Sequence, residues 1–362
     1  MGALGFVSLL EDVRLEGVAA RDPFVTVIVT NYNYGKYVAD CLRSIARQTY
    51  SNFKCIVVDD CSTDDSPGII QAFISSGEAA GRFTFVRHET NRGQMGGFVT
   101  GLHHAEGSFV VYVDADDLLL EDFIEAHLYA HARFEPVAYT SSNQYQIDEY
   151  GEIVSGIHSD HKAKGRFKYV TSRPIYHPYW VWATTSSMMF RRSVLDLIVP
   201  GNTDTYRICA DNYICHFANL VGGSLLIPTV HGCYRRHGSN HFSSNRILGG
   251  DHPTGDMERH PKHHEIRLGI FAHLCEKSDW FIPALSKGKF LKTVAKTVGP
   301  AELLKFASKL PPAFPVRQAA TLCLLLRMGE VVRLVRAFVM PRTGCLKHQF
   351  SGDADILRLP GE

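Results

Sequence analysis

The sequence lacks several features that are typical of membrane-spanning proteins, of secreted proteins and of proteins with structural metal sites. No apolar run reaches eighteen residues, and the longest candidate, 319–326, is flanked by Arg317 and Arg327, so we expect no spanning helix. The first residues lack a basic segment and include Glu11 and Asp12, which is not typical of a secretory signal. The nine cysteines include no CxxC pair, which favours a reduced, intracellular protein over a disulfide framework or a zinc site.

Excess charge of either sign is also absent. The 38 Lys and Arg residues nearly balance the 37 Asp and Glu residues, which argues against nucleic acid as a partner of the whole chain. We find no internal repeat. The hydrophobic content of 45% is ordinary for a globular protein, and 362 residues allow one large α/β domain with an appendage, or two domains. These features indicate a cytoplasmic protein, either soluble or bound to a membrane surface.

Strand and helix patterns alternate between residues 24 and 113. Uninterrupted β-branched and apolar runs are typical of strands buried on both faces of a parallel sheet, and the segments between them repeat apolar residues at helical spacing. The predicted strands are 24–30, 53–60, 83–88 and 109–113, and the predicted helices include 37–45, 66–75 and 95–105. This alternation predicts βαβ units and a mostly parallel sheet, and beyond residue 135 the pattern becomes mixed.

Polar side chains follow three of these strands, at the sheet edge where parallel α/β sheets bind ligands. They are Thr30 to Asn33, then Asp59 and Asp60, and finally Asp114, Asp116 and Asp117. In VVYVDADDLLLEDF, residues 110–123, the acids either cap a helix that starts near Leu119 or hold a cation. Asp-Ala-Asp recurs at Asp353 and Asp355 in a Gly-flanked tail, so the triplet alone does not decide between the two.

Two longer segments carry a resemblance. VTVIVTNYNYGKYVADCLRSIARQTYSNFKCIVVDDCSTDDS and ETNRGQMGGFVTGLHHAEGSFVVYVDADD together resemble the nucleotide-binding half of a family 2 inverting glycosyltransferase of the GT-A fold, of the bacterial polysaccharide-biosynthesis type. The resemblance implies an α/β, Rossmann-like, mostly parallel central sheet flanked by helices. It also implies transfer of a hexosyl or N-acetylhexosaminyl group from a nucleotide sugar, UDP-linked in our expectation, to a saccharide or lipid-linked saccharide.

The expected domain organisation follows from the extent of the resemblance. We expect an N-terminal extension at 1–22 and a GT-A domain at 23–240, with a flexible loop and a helical C-terminal appendage after it. The GT-A domain divides into a nucleotide-binding half, 23–117, and an acceptor half, 118–240. The later segments are the loop, 241–264, and the helical region, 265–362.

The resemblance implies a metal site. Asp116 is expected to contact Mg²⁺ or Mn²⁺, and Asp114 the ribose or the metal shell, because a hard cation that bridges the two phosphates of the donor prefers carboxylate oxygens. Asp117 either shares one of these tasks or caps the next helix. His237, in YRRHGSN, resembles the late histidine that helps to bind metal or diphosphate. Its alternative is an ordinary surface histidine.

Other residues are assigned to the nucleotide. Asp60 resembles the residue that accepts a hydrogen bond from the nucleobase, while its neighbour Asp59 orients the loop. After the first strand, the backbone at Thr30 is expected to read the base and the ring of Tyr32 to stack on it. A turn with a packed tyrosine is the alternative for this pair.

Asp211, in CADNY, is the expected general base. Inversion by direct displacement needs a carboxylate that takes the acceptor proton. The family usually has Glu-Asp here, and Ala210 replaces the Glu. The alternative for Asp211, compatible with the first, is a helix N-cap.

The sequence departs from the family at a second place. Many relatives carry Arg-Asn in the helix after the third strand, where this chain has Phe98 and Val99. That leaves Arg92 or Gln94 as substitutes for nucleotide contacts. Either of two later arginines, Arg235 and Arg236, is a candidate phosphate ligand, and the sequence does not choose between them.

Two further hypotheses concern acceptor and membrane. Tyr176, Tyr179, Trp180 and Trp182 form either an acceptor platform or an aromatic core cluster. A basic amphipathic helix within 311–345 either lies on an anionic membrane surface, at the inner face of the cell membrane, or packs on the catalytic domain. The alternative functions are a non-catalytic sugar-nucleotide-binding or scaffold protein of a polysaccharide-synthesis complex, and a nucleotidyltransferase.

Overall fold

The computed structural model describes residues 22–170, 180–238 and 240, and seven residues between 266 and 277. The seven are Ile266, Gly269, Ile270, Ala272, His273, Glu276 and Lys277. Outside the described residues lie residues 1–21 of the predicted extension at 1–22, the loop at 241–264, the basic segment at 311–345, and both Tyr176 and Tyr179.

The elements alternate as predicted through the first four strands. The strands are β1 (Val25–Asn31), β2 (Phe53–Asp59), β3 (Phe83–Arg87), β4 (Phe109–Asp114), β5 (Leu118–Leu119), β6 (Tyr139–Ile147), β7 (Ile153–Ser155), β8 (Lys168–Val170), β9 (Met188–Arg191) and β10 (Ser224–Arg235). The helices are α1 (Gly35–Ala46), α2 (Ser66–Ser75), α3 (Gly93–His103), α4 (Phe123–Arg133), α5 (Arg192–Ile198) and α6 (Ala210–Gly222). None of the helices in this part of the chain has the length and apolar character needed to span a bilayer.

One sheet runs through the described domain in the order β3-β2-β1-β4-β9-β6-β10-β5, with β7 paired to β6 and β8 to β10. The first four strands are parallel, because each of the three connections between them contains a helix that returns the chain to the same end. The second half is mixed, since β9 pairs antiparallel with both β4 and β6 while β10 pairs parallel with β6. The chain therefore has the α/β architecture that the sequence predicts.

Helices cover both faces of β1. Val27 on one face packs in a core with Val38 and Leu42 of α1. On the other face, α3 approaches so closely that a Cβ at Gly101 would lie 2.2 Å from Cγ2 of Ile28. Alternate residues of a strand point to opposite faces, so a run of β-branched residues suits this doubly covered position.

The segment after β4 differs from the prediction of a helix near Leu119. Leu118 and Leu119 form the short strand β5, which pairs antiparallel with Gly232 and Cys233 of β10, and α4 begins only at Phe123. The prediction was wrong because long-range pairing with β10 takes up these leucines.

Candidate active site

Asp114 is the last residue of β4 and stands beside Thr30 of β1 in register. Thr30 Oγ1 donates to Asp114 Oδ1 at 3.4 Å, and Gln94 Nε2 lies 3.5 Å from the same oxygen. Burial, together with the smaller effects of the charges on Asp116 and Asp211, raises the pKa of Asp114 to about 7. The two donors oppose the rise. Asp211 is therefore near enough for its charge to act on Asp114.

Asp116 contacts His237 directly. Nε2 of His237 lies 2.9 Å from Oδ2 of Asp116, and both side chains are nearly inaccessible to solvent. The ring of Tyr37 stacks on the imidazole with centroids 4.9 Å apart, and the ring of Tyr34 meets it edge-on at 5.7 Å. Burial raises the pKa of the Tyr34 phenol, and the charges of Asp116 and Asp114 add to that rise. His237 is thus held between tyrosines beside the acids rather than on the surface.

Asp117 has a structural contact that the helix-cap alternative does not explain. Its side chain is fully buried, and its Oδ1 accepts a hydrogen bond from the backbone N–H of Arg235 at 2.9 Å. Burial raises the pKa of Asp117 well above its usual range, with contributions from Asp116 and Asp114. Because α4 begins at Phe123, the cap alternative is wrong, and Asp117 instead joins the turn after β4 to the end of β10.

Arg235 is buried in protein contacts and is not available to a phosphate. Its Nε donates to the carbonyl of Asp116 at 2.9 Å, and its Nη1 lies 3.4 Å from the carbonyls of Asp148 and Glu149. The guanidinium carbon lies 4.9 Å from the centroid of the Tyr37 ring, and only 3% of the residue is exposed. Of the two candidate arginines, burial excludes Arg235. Nη1 of Arg236 donates to Oε1 of Gln146 at 2.8 Å.

Asp60 is used to build the loop before α3. Its Oδ1 accepts from the backbone N–H of Arg92 and its Oδ2 from that of Gly93, both at 2.7 Å. Nδ1 of His88 lies 2.7 Å from Oδ1. A carboxylate at the start of a helix satisfies amides that have no partner within the helix. A contact of Asp60 with a nucleobase therefore stays a prediction, and it would have to share oxygens that already have partners.

Asp59 orients the neighbouring loop, as the sequence analysis expects. The fully buried carboxylate accepts from Nδ2 of Asn31 at 2.7 Å and from the backbone N–H of Ser62 at 3.0 Å. The loops after β1 and β2 are thereby joined at the edge where the nucleotide is expected. Tyr32 projects from this edge with 45% of its surface exposed, which leaves its ring accessible for stacking.

Asp211 lies in the first turn of α6. Cys209 precedes the helix as its N-cap residue, with a left-handed φ of 63°, so the N-cap alternative for Asp211 is wrong. Asp211 Oδ1 accepts from the N–H of Asn212 at 2.7 Å, and burial raises the pKa of the carboxyl. The residue is partly exposed, so a ligand can approach it from solvent.

The positions that depart from the family are part of the core. Phe98 and Val99 are buried, and the ring of Phe98 stacks on Tyr112 at 4.1 Å. Trp182 is likewise fully buried, and its Nε1 donates to Oγ of Ser224 at 2.9 Å. Of the predicted aromatic patch, Trp182 belongs to the core, while the neighbouring Trp180 is partly exposed.

The acids and His237 form a set that suits a divalent cation shared with a diphosphate. Among the described residues, no three His, Cys, Asp or Glu side chains form a group that could hold a metal ion. Mg²⁺ is usually bound through one or two carboxylates together with substrate phosphates. Asp116 with Asp114 nearby, beside the imidazole of His237, fits that pattern.

Sequence reasoning missed the two tyrosines around His237 and the buried role of Arg235. The aromatic spacing in NYNYGKY was a signal for the former, because Tyr34 and Tyr37 lie three residues apart at the start of α1. The sequence also did not define the role of Gln94, whose Oε1 accepts from the N–H of Ala210 at 3.1 Å.

Comparison with known proteins gives a family match. Residues 26–198 match the family model described as Glycosyl transferase family 2. The uncharacterized glycosyltransferase alr2836 of Nostoc sp. is 26% identical over 235 residues, which cover 61% of this chain and 67% of the relative. The putative teichuronic acid biosynthesis glycosyltransferase TuaG of Bacillus subtilis is 34% identical over 106 residues, which cover 29% of this chain and 41% of TuaG.

The chain spans less than half the length of TuaG and of three other curated glycosyltransferases that it matches. Among solved structures, S. aureus TarS 1-349 in complex with UDP is 20% identical, with a TM-score of 0.44. That comparison covers 84% of this chain and 92% of the other.

Proposed function

Because this chain belongs to glycosyl transferase family 2 through residues 26–198, we propose that it transfers a sugar from a nucleotide-sugar donor to a saccharide or lipid-linked saccharide acceptor. The observation that carries the proposal is that Gln94 contacts both the donor-side acid, Asp114, and Ala210, the residue directly before the candidate base, Asp211. Asp116, which contacts His237, lies two residues after Asp114 in the turn that follows β4. The name of TuaG, a putative teichuronic acid biosynthesis enzyme, supports a saccharide acceptor.

Donor binding falls to the carboxyl edge of β1, β2 and β4. The exposed ring of Tyr32 is available to stack on the nucleobase. The backbone at Thr30 would read the base, and Asp114 would contact the ribose. Asp116 and His237 would hold Mg²⁺ or Mn²⁺ together with the diphosphate. When bound, the cation would neutralise the charge that develops on the departing nucleoside diphosphate. We propose a UDP-linked hexose or N-acetylhexosamine as the donor.

Transfer follows as a direct displacement with inversion. The acceptor oxygen attacks the anomeric carbon while the bond from that carbon to the diphosphate oxygen breaks, and Asp211 takes the acceptor proton. A base is most effective when its pKa lies near the working pH. The pKa of Asp211 is raised by burial, which moves this carboxylate in the useful direction.

The experiment that tests the proposal is a donor panel. The full-length protein is incubated with UDP-, GDP- and TDP-linked sugars and Mn²⁺, and release of the nucleoside diphosphate is measured before and after addition of a chelator. We expect release from one donor class that stops with the chelator. No release from any donor, with lipid-linked and soluble saccharides both supplied as acceptors, would contradict the transferase proposal.

A further inference from the structure

Gln94, in the first turn of α3, connects the donor side of the site with the helix that carries the candidate base. Its Nε2 lies 3.5 Å from Oδ1 of Asp114 at the end of β4. Its Oε1 accepts from the backbone N–H of Ala210, the first residue of α6, at 3.1 Å. The backbone N–H of Gln94 donates to the carbonyl of Arg207 at 2.9 Å. One amide side chain therefore touches both halves of the site.

The two segments that Gln94 joins are packed backbone against backbone. Gly93 has a φ of 76°, and a Cβ there would lie 2.5 Å from Cα of Arg207. The guanidinium of Arg207 in turn donates to the carbonyl of Asn91 at 2.8 Å. With no side chain between them, the start of α3 and the segment before α6 have little room to move against each other.

The amide also meets an electrostatic need at both of its ends. The first N–H groups of a helix have no partner within the helix, and Gln94 Oε1 supplies one for Ala210, directly before Asp211. At its other end the Nε2 group faces Asp114, a carboxylate crowded by two other acids, Asp116 and Asp211. A neutral side chain that accepts at one end and donates at the other suits this position, whereas Glu or Lys would satisfy only one end.

We propose that Gln94 is a positioning residue that fixes Asp211, the general base, relative to Asp114 on the donor side. The inference rests on the proposed transferase function. Gln94 touches neither reacting atom in this account. It sets the separation between the base and the donor, and small errors in that separation are costly, since a misplacement of about 1 Å can reduce a rate by roughly 100-fold.

Two variants distinguish the contributions of the Nε2 and Oε1 ends of the Gln94 amide. Gln94→Met keeps the length and loses both hydrogen bonds, so we expect kcat to fall about tenfold or more with the donor KM within about twofold of the wild-type value. Gln94→Glu keeps the acceptor for Ala210 and places a negative charge toward Asp114. For this variant we expect kcat closer to the wild-type value and a donor KM raised several-fold, together with weaker binding of UDP and Mn²⁺ by calorimetry.

Gln48 offers a matched control. Its Nε2 donates to the carbonyl of Leu120 at 2.6 Å, and its Oε1 accepts from the N–H of Ile124 at 3.0 Å. Like Gln94, it forms hydrogen bonds at both ends of its side-chain amide, but these bonds involve none of the site acids. Gln48→Met should lower the melting temperature and leave kcat unchanged. An unchanged kcat in Gln94→Met, or an equal fall in Gln48→Met, would overturn the inference. Wild-type protein without turnover in the same assay would instead reject the transferase function.

Discussion

Nε2 of His237 lies 2.9 Å from Oδ2 of Asp116, although 121 residues separate them along the chain. This contact is the centre of the proposed metal-diphosphate site, because it brings an imidazole to the turn that holds three acids. A second His–Asp pair, Nδ1 of His231 and Oδ1 of Asp122, also lies at 2.9 Å but is outside the site. The two pairs allow a functional contact to be compared with a structural one.

Asp116→Asn should abolish metal-dependent turnover. The amide keeps the shape of the side chain but removes the charge that a hard cation requires. Loss of a group behind a metal ligand already costs about 10- to 100-fold in affinity or activity, so loss of the ligand itself should cost more. Release of nucleoside diphosphate in the presence of Mn²⁺ measures the effect. Asp122→Asn is the control and should keep wild-type turnover. Full activity of Asp116→Asn would show that the metal assignment is wrong.

Asp211→Asn should retain donor binding and lose transfer, because the amide cannot take the acceptor proton. General-base catalysis contributes about 10²- to 10⁴-fold, so kcat should fall by that range while calorimetry shows unchanged affinity for UDP. In the wild type, burial raises the pKa of Asp211, so the acid limb of the kcat profile should lie above the usual value of about 3.9. Asp196, another carboxyl with a pKa raised by burial, supplies the control Asp196→Asn. Loss of UDP affinity in Asp211→Asn would point to a structural role instead.

Arg235→Lys should reduce activity by releasing His237. Lysine keeps the charge but cannot reach the carbonyl of Asp116 and those of the 148–149 turn together, so we expect a loss of about 1–3 kcal/mol in the free energy of unfolding and about a tenfold fall in kcat/KM. Arg82 is a matched control at the other end of the sheet. It donates to a backbone carbonyl at 2.7 Å and stacks on Phe53. If Arg82→Lys lowers kcat/KM as much as Arg235→Lys does, the loss reflects general destabilisation and Arg235 does not support activity by holding His237.

Gly101→Ala should destabilise the contact between α3 and β1. The new Cβ would lie 2.2 Å from Cγ2 of the buried Ile28, and overpacking of a core costs about 1–3 kcal/mol. A Cβ at Gly68 in α2 would meet nothing within 4 Å, so Gly68→Ala should stabilise the protein by about 0.5–1 kcal/mol. Chemical denaturation of the two variants measures both. Similar stabilities would contradict the close approach of α3 to β1.

His158 should contribute to acid lability. Burial lowers its pKa to about 4, with smaller contributions from His161 and Arg236, and its Nδ1 accepts from the N–H of Asp160 at 3.3 Å. The unfolded chain takes up this proton near pH 6.5 and the folded chain only near pH 4. Stability from this group is therefore complete above about pH 6.5 and falls between pH 6.5 and 4, by on the order of 3 kcal/mol.

His158→Gln should remove that part of the pH slope, measured as the free energy of unfolding at several pH values. The exposed His104 provides the control His104→Gln, which should keep the wild-type slope. Equal slopes for wild type and His158→Gln between pH 6.5 and 4 would refute the assignment.

Local pattern was enough to predict the first half of the fold. The strands β1 to β4 consist of continuous apolar runs, and the helices α1 to α3 repeat apolar residues at helical spacing. Both signals depend only on neighbours along the chain. Parallel topology then brings the polar strand ends together, so the sequence alone predicts Asp114 and Asp59 at one edge of the sheet.

Contacts between distant segments required the tertiary structure. Leu118 and Leu119 carry no signal that they pair with β10, and so the start of α4 was misplaced. The sequence left both Arg235 and Arg236 open as phosphate ligands, and only the docking of β10 against the turn after β4 buries Arg235. Its burial depends on carbonyl groups contributed by two other segments, at Asp116 and at residues 148–149.

Asp114 and Asp116 illustrate what the sequence determines and what the tertiary structure decides. Composition and alternation are properties of short segments, so they determine an α/β sheet with Asp114 and Asp116 at its carboxyl edge. The partners of these acids come from residues that are far away in sequence: His237 beside Asp116, and Gln94 between Asp114 and the first turn of α6. No local sequence pattern encodes these contacts, because they result from how β10 and α6 pack against the completed sheet.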